Sequence, residues 1–108
     1  MKRGDLVTVV TSGDYGKPRP ALIMQSNAYA GHPSATVLPL TSDLHDAPLL
    51  RITLEPSDRN GLARRSQVMV DKPTTIRREK VGDTIGRVDA AMMASISRAL
   101  AVFLGLGS

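Results

Sequence analysis

The sequence predicts a mainly β (α+β) protein, a small barrel or curled sheet of short strands followed by one C-terminal α-helix. Two patterns in the 108 residues carry this prediction. Before Asp89, short apolar or β-branched runs alternate with turn sequences, as is typical of small barrels and sandwiches. After Asp89, the chain becomes rich in Ala, Leu and Met, which favours a helix.

The patterns of three predicted strands give more detail. Residues 49–55 alternate apolar with polar side chains, which indicates a half-buried strand, whereas residues 21–25 form a continuous apolar run expected to be buried on both faces. Pro39 lacks a backbone N–H and therefore requires an unpaired edge or a bulge in its strand. The predicted strands span residues 5–11, 21–25, 35–41, 49–55, 66–71, 74–77 and 83–89.

The C-terminal helix is expected to run from about Asp89 to Leu104. Asp89 is a suitable N-cap, because its carboxylate accepts from a free backbone N–H, and Gly105 is a suitable stop. Five side chains recur at helical spacing and are expected to form one face against the core. They are Met92, Met93, Ile96, Leu100 and Phe103.

Composition predicts a single domain, residues 1–108, in the cytoplasm. The chain has no cysteine, so it has neither disulfides nor thiolate chemistry, and its N-terminal apolar run is too short for a signal peptide or a membrane span. The net charge of +4 favours a polyanionic partner or an acidic protein. A domain this small has a limited core, so a partner subunit would add stability.

The residue inventory sets several kinds of active site aside. The chain has two histidines, His32 and His45, both in loop sequences, which does not favour a two-histidine nuclease or a metal site. It has no G-x-S-x-G elbow, and the glycines of "GDYGK" lack the spacing of a nucleotide phosphate loop. Arginine, hydroxyl and carboxylate chemistry remains, and we expect no metal or cofactor.

A stiff segment holds one arginine just before the second predicted strand. In "GKPRP", Pro18 biases Lys17 towards an extended conformation, and Pro20 does the same for Arg19. An arginine held this way would need little ordering when it binds an anion.

Six motifs in a fixed order resemble the MazF/PemK/Kid family of toxin endoribonucleases along essentially the whole chain. The resemblance implies an SH3-like barrel with a C-terminal helix, usually a homodimer, that cuts single-stranded RNA at short sequences without a metal. It also implies a cognate antitoxin partner. The motifs are "KRGDLVTVV", "KPRPALIMQSN", "TVLPLTS", "SQVMVDKPTTIR", "IGRVD" and "FLGLG".

The resemblance implies that Arg19 and Thr41 are catalytic. The 2′-hydroxyl of RNA attacks the adjacent phosphate, giving a 2′,3′-cyclic phosphate and a 5′-hydroxyl, and the transition state gains charge on its oxygens. A guanidinium presents several donors to such oxygens, and a hydroxyl adds a neutral one. The alternatives are a solvated arginine and a threonine that begins a turn with Ser42 and Asp43. Arginine is a poor base at neutral pH, so the acceptor of the 2′-hydroxyl proton stays open.

Further residues are predicted to contact substrate. Asp14 replaces a glutamate of the family's first loop, and Tyr15 could stack on one base. Asp71 matches an acidic residue that faces substrate, with a strand-ending turn residue as the alternative. Lys17 and Ser42 complete the predicted set. A cluster of basic residues could track phosphates or form a solvated rim: Arg64, Arg65, Arg77, Arg78 and Lys80.

Two other functions stay open at this point. A gyrase-binding toxin of the same fold would typically end in a tryptophan-containing helix, and this chain has no tryptophan. A non-catalytic SH3-like module that binds nucleic acid would leave Arg19 and Thr41 without a chemical role.

Overall fold

The computed structural model describes residues 1–10 and 17–107. Within these ranges the chain forms seven strands, two 3-10 turns and one α-helix. The strands are β1 (Asp5–Val9), β2 (Arg19–Ile23), β3 (Ser34–Thr41), β4 (Arg51–Leu54), β5 (Ser66–Met69), β6 (Thr74–Arg77) and β7 (Val81–Arg87). The 3-10 turns are Asn27–Tyr29 and Arg78–Lys80, and the helix α1 spans Ala90–Leu104.

The strands form one antiparallel sheet in the order β4-β5-β3-β2-β1-β7, with β6 also paired to β3. The expected fold class, mainly β with a C-terminal helix, is confirmed. In the described part of the chain the path of paired strands stays open between β4 and β7, so the term barrel describes the layout only loosely.

β3 is the central strand, and it accommodates a proline because two different strands pair with successive parts of the same edge. β6 pairs with β3 as far as Val37, and β5 pairs with it from Leu40 onward. Pro39 stands opposite Ala21 of β2 and falls within the gap between β6 and β5. This gap is the unpaired edge that Pro39 was expected to need.

The first three strands are buried on both faces. Leu6, Leu22 and Leu38 are register neighbours and belong to the main core, which also receives the helix. Val7 and Ile23 point to the other face, where they form a second apolar cluster. None of these five side chains is more than 1% exposed, so the continuous apolar run of β2 was correctly interpreted as doubly buried.

The helix has the predicted ends. The Asp89 carboxylate accepts from the backbone N–H of Met92 at 2.8 Å, and Gly105 ends the helix in a left-handed conformation with φ of 73°. Ile96 is fully buried, and neighbouring apolar side chains pack partly against the core. No helix in the described ranges is long and apolar enough to cross a membrane.

The prediction that Phe103 belongs to the core face was wrong. Phe103 is 45% exposed. Two turns beyond Ile96, the helix faces the segment at residues 47–50 instead of the sheet, and the two form a shallow apolar groove. Helical spacing identifies a face, but how far the core extends along that face depends on the neighbouring elements.

Candidate active site

A cleft of about 790 Å³ opens where β2 begins and β3 ends. Its walls come from both strands, the loop before β5, two residues each of β1 and β5, and single residues of β6 and β7. The polar and charged side chains that line it are Thr8, Lys17, Arg19, Thr41, Ser42, Arg64, Ser66 and Thr74.

The two predicted catalytic residues lie at the same end of adjacent strands. Arg19 is the first residue of β2 and Thr41 is the last residue of β3. The strands are antiparallel, with Ala21 opposite Pro39. When this register is continued by two residues, Arg19 stands across from Thr41, and both line the cleft.

Arg19 extends from a paired strand. It stands opposite Val9, and the next residue, Pro20, stands opposite Thr8. The strand conformation matches the extended backbone predicted for a residue that precedes proline. The side chain is exposed at the cleft, and the sheet holds the backbone from which it projects.

Thr41 both begins a turn and lines the cleft. Its Oγ1 accepts a hydrogen bond from the backbone N–H of Asp43 at 3.0 Å, so it does begin a turn. A hydroxyl can accept and donate at the same time. The turn therefore fixes the oxygen, while the hydroxyl hydrogen can be donated to a ligand in the cleft.

The structure brings Lys17 and Ser42 to the same cleft, and it adds Arg64 from the basic cluster. Arg77, also from that cluster, pairs with Ser34. Ser34 begins β3 and Thr41 ends it, so Arg77 lies at the far end of that strand from Thr41. The adjoining Arg78 and Lys80 follow it in the 3-10 turn, away from the cleft. Asp14 and Tyr15 lie outside the described residues, and their roles stay predictions.

Asp71 does not line the cleft. Its carboxylate forms an ion pair with Arg51, and the two side chains are only 23% and 14% exposed. Burial acts to raise the pKa of Asp71, but the hydrogen bond and charge of Arg51 outweigh it and hold the pKa below its ordinary value. The geometry favours the alternative of a strand-ending structural residue, and the β5 residues in the cleft are Ser66 and Met69.

A buried asparagine builds the wall opposite the strands, which the sequence analysis did not anticipate. Asn60 Oδ1 accepts from the N–H groups of Ser57 and Leu62 at 3.0 Å each, and Nδ2 donates to the carbonyl of Glu55 at 2.8 Å. Gly61, with φ of 66°, then passes tightly over Ile85. The sequence "PSDRNG", which ends in this Asn-Gly dipeptide, does predict a turn here, but it does not predict the burial of Asn60.

The described part of the cleft wall is cationic. Its described lining includes three positive side chains, Lys17, Arg19 and Arg64, and no carboxylate or imidazole. Donors of this kind, clustered around hydroxyls, suit a phosphate group. Within residues 1–10 and 17–107, no group of three or more His, Asp or Glu side chains is arranged to hold a metal ion.

Comparison with known proteins places this chain and its fold in one class of toxins. The family model described as "PemK-like, MazF-like toxin of type II toxin-antitoxin system" matches residues 2–104. The chain belongs to this family.

Its relatives match it over nearly their full lengths. It is 45% identical over 107 residues to the probable endoribonuclease MazF of Mycolicibacterium smegmatis, covering 98% of each chain. It is 28% identical to endoribonuclease EndoA of Bacillus subtilis, covering 98% of this chain and 96% of EndoA. A solved structure described as an endoribonuclease in complex with its cognate antitoxin, from a mycobacterial species, has a TM-score of 0.82 and 28% identity, covering 100% and 98% of the two chains.

Proposed function

We propose that this chain is the endoribonuclease toxin of a toxin-antitoxin module and that it cleaves single-stranded RNA in the cleft between β2 and β3. One observation carries the proposal, namely that Arg19 begins β2, Thr41 ends the adjacent β3, and both line one cleft whose described charged side chains are cationic. Family membership and a relative named as an endoribonuclease at 45% identity support it.

The proposed reaction is an internal transfer at phosphorus. The 2′-oxygen attacks the adjacent phosphorus atom, a new P–O2′ bond forms, and the P–O5′ bond breaks. The products are a 2′,3′-cyclic phosphate and a 5′-hydroxyl. The 2′-hydroxyl loses one proton and the leaving 5′-oxygen gains one, so the step consumes no water.

The two strand-end residues stabilise the charge that develops during this reaction. The Arg19 guanidinium donates to the non-bridging oxygens of the phosphate, and the Thr41 hydroxyl donates to the same group. Neither serves as the base, because a guanidinium keeps its proton at neutral pH and Thr41 is proposed as a donor. Asp14, the carboxylate closest to Arg19 along the chain, is a candidate for the 2′-hydroxyl proton.

Substrate selection depends on the remaining lining residues. Lys17 and Arg64 both line the cleft and would contact phosphates next to the scissile one. Ser42 adds a hydroxyl beside Thr41. The chain has few aromatic residues, so selectivity for short sequences rests on pockets and backbone contacts, with Tyr15 as one possible stacking ring.

We also propose that the toxin acts in the cytoplasm as a homodimer and is inhibited by a cognate antitoxin. The solved relative in complex with its antitoxin supports the second part, and the net charge of +4 suits an acidic antitoxin segment. Copurification with the product of a neighbouring gene, followed by loss of RNA cleavage in the complex, would test it.

The test of function is cleavage of a long RNA of mixed sequence by the purified protein, with mapping of the cut ends. We expect cuts at a short recurring sequence, ends of the two types above, and no loss of activity on addition of a chelator. Arg19→Ala should remove the cuts, whereas Arg78→Ala, a cation away from the cleft, should keep them.

Other outcomes would redirect the assignment. Cleavage at the wild-type rate by folded Arg19→Ala would contradict the proposed site. RNA binding without any cut would favour a non-catalytic module, and inhibition of gyrase without RNA cleavage would favour the gyrase-binding alternative.

A further inference from the structure

We infer that Gln67 is a positioning residue for the proposed reaction and that its side chain holds the loop on which the orientation of the Thr41 hydroxyl depends. The inference rests on the proposed function for its effect on catalysis. Gln67 does not line the cleft and would not touch the RNA.

The Gln67 amide is buried and its hydrogen bonds go to the loop after β3. The residue is 6% exposed. Its Oε1 accepts from the backbone N–H of His45 at 2.9 Å, and its Nε2 donates to the backbone carbonyl of His45 at 2.9 Å. Nε2 also donates to the Thr53 hydroxyl at 3.3 Å. A buried amide is costly without partners, so these bonds fix His45 in place.

The loop fixed by Gln67 begins at the catalytic threonine. Thr41 is the cross-strand partner of Gln67 in the β3–β5 ladder. The chain leaves the ladder at Thr41, and the N–H of Asp43 turns back to the Thr41 oxygen. At His45 it returns to the Gln67 side chain. The short arc from Thr41 to His45 is thus held at its start by the threonine and at its end by the glutamine.

The backbone bonds made by Gln67 are the principal restraint at the far end of this arc. The described residues also include a contact there between His45 Nε2 and Asp43 Oδ2, 3.2 Å apart, whose side chains are 59% and 84% exposed. Exposed pairs of this kind contribute little because solvent screens them. Without Gln67, we expect Asp43 to move and the Thr41 hydroxyl to rotate among several orientations.

The matched pair of variants is Gln67→Met and His45→Ala. Gln67→Met keeps the length of the side chain and removes its hydrogen bonds to His45. His45→Ala removes the ring but keeps both backbone bonds to Gln67. We expect Gln67→Met to lower kcat for RNA cleavage about tenfold or more with KM within about twofold, because it impairs a donor that acts in the transition state. His45→Ala should cleave at nearly the wild-type rate.

Combining variants tests whether Gln67 acts through Thr41. In the Thr41→Val background, Gln67→Met should change the single-turnover rate by less than about twofold, because the hydroxyl to be positioned is already gone. An equal loss in both backgrounds would overturn the inference. So would a wild-type kcat for folded Gln67→Met.

Amide hydrogen exchange gives a readout that does not depend on cleavage. In Gln67→Met, the amides of Asp43 and His45 should exchange faster, while those of the β3–β5 ladder keep their protection. If Gln67→Met fails to fold, Gln67→Glu serves instead, since it keeps an acceptor for His45 and loses the donor. A wild-type protein that does not cut RNA would refute the proposed function alone; unchanged exchange at Asp43 and His45 would refute the positioning role alone.

Discussion

Arg19 begins β2 and Thr41 ends β3, and the register that sets Ala21 opposite Pro39 brings the two residues opposite each other when it is continued by two positions. The strands therefore hold the two residues at the same edge of the sheet before any ligand binds. Donors held in this way lose little freedom on binding, so more of their interaction energy is available to the transition state.

The hydroxyl of Thr41 is expected to matter more than its methyl group. Thr41→Ser should retain most of the cleavage rate, because serine offers the same donor and can accept from the Asp43 N–H. Thr41→Val, which has nearly the same shape, should lose about 10²–10³-fold in kcat, the typical effect of removing one such donor. Single-turnover cleavage of a defined RNA measures the rates of both variants. Equal rates for Thr41→Ser and Thr41→Val would show that the Thr41 hydroxyl does not take part in the reaction.

The shape of the guanidinium at position 19 is expected to be required in addition to its charge. Arg19→Lys keeps one positive charge at the cleft but cannot present two parallel donors to a phosphate. We expect Arg19→Lys to stay at least about 10²-fold below wild type in kcat, a loss of the size seen for one transition-state donor. RNA affinity, measured by fluorescence anisotropy, should fall less. Near-complete rescue by lysine would show that charge alone is sufficient.

The ion pair between Asp71 and Arg51 is expected to make the free energy of unfolding depend on pH in the acidic range. The pair depresses the pKa of Asp71 from its ordinary value of 3.8, so its contribution is present above pH 3.8 and is lost as the pH falls through the lower, folded-state value. At neutral pH, Asp71→Asn should lower the free energy of unfolding by about 1–2 kcal/mol.

Urea unfolding at about pH 7 and about pH 3 measures this effect, and the difference between wild type and Asp71→Asn should shrink at the lower pH. Asp83→Asn, at an exposed carboxylate, is the control and should change little at either pH. A large loss of RNA cleavage by folded Asp71→Asn would instead support the prediction that Asp71 contacts the substrate.

The wall of the cleft is expected to depend on glycine at position 61. A Cβ there would lie 1.9 Å from the Ile85 carbonyl oxygen, and φ of 66° disfavours any side chain. Gly61→Ala should lower the free energy of unfolding by about 1–3 kcal/mol and slow RNA cleavage, because Arg64 and Leu62 follow on the same loop. Gly31→Ala is the matched control, because a Cβ at Gly31 meets nothing within 4 Å. Thermal unfolding of the two variants compares them directly, and equal melting temperatures would contradict the need for glycine where the loop passes over Ile85.

The candidate site was predictable where the signal is local. The extended backbone of Arg19 follows from the prolines on both sides of it, whereas the catalytic roles of Arg19 and Thr41 were predicted from the ordered family motifs along the chain. Lys17 and Ser42 adjoin them and reach the same cleft. Asp71 was assigned to the substrate by its place in a motif, but its surroundings depend on Arg51, which is 20 residues away in the sequence.

By itself, the sequence determined the mainly β class, the strand order along the chain and the helix from its Asp89 cap to Gly105, because alternation, turn residues and caps act between near neighbours. Only the tertiary structure decided which side chains meet. The β2–β3 register placed Arg19 by Thr41, the β3–β5 register placed Gln67 under the following loop, and the reach of the core left Phe103 exposed. Such contacts join residues far apart in the chain, and their partners are fixed only when the strands pair.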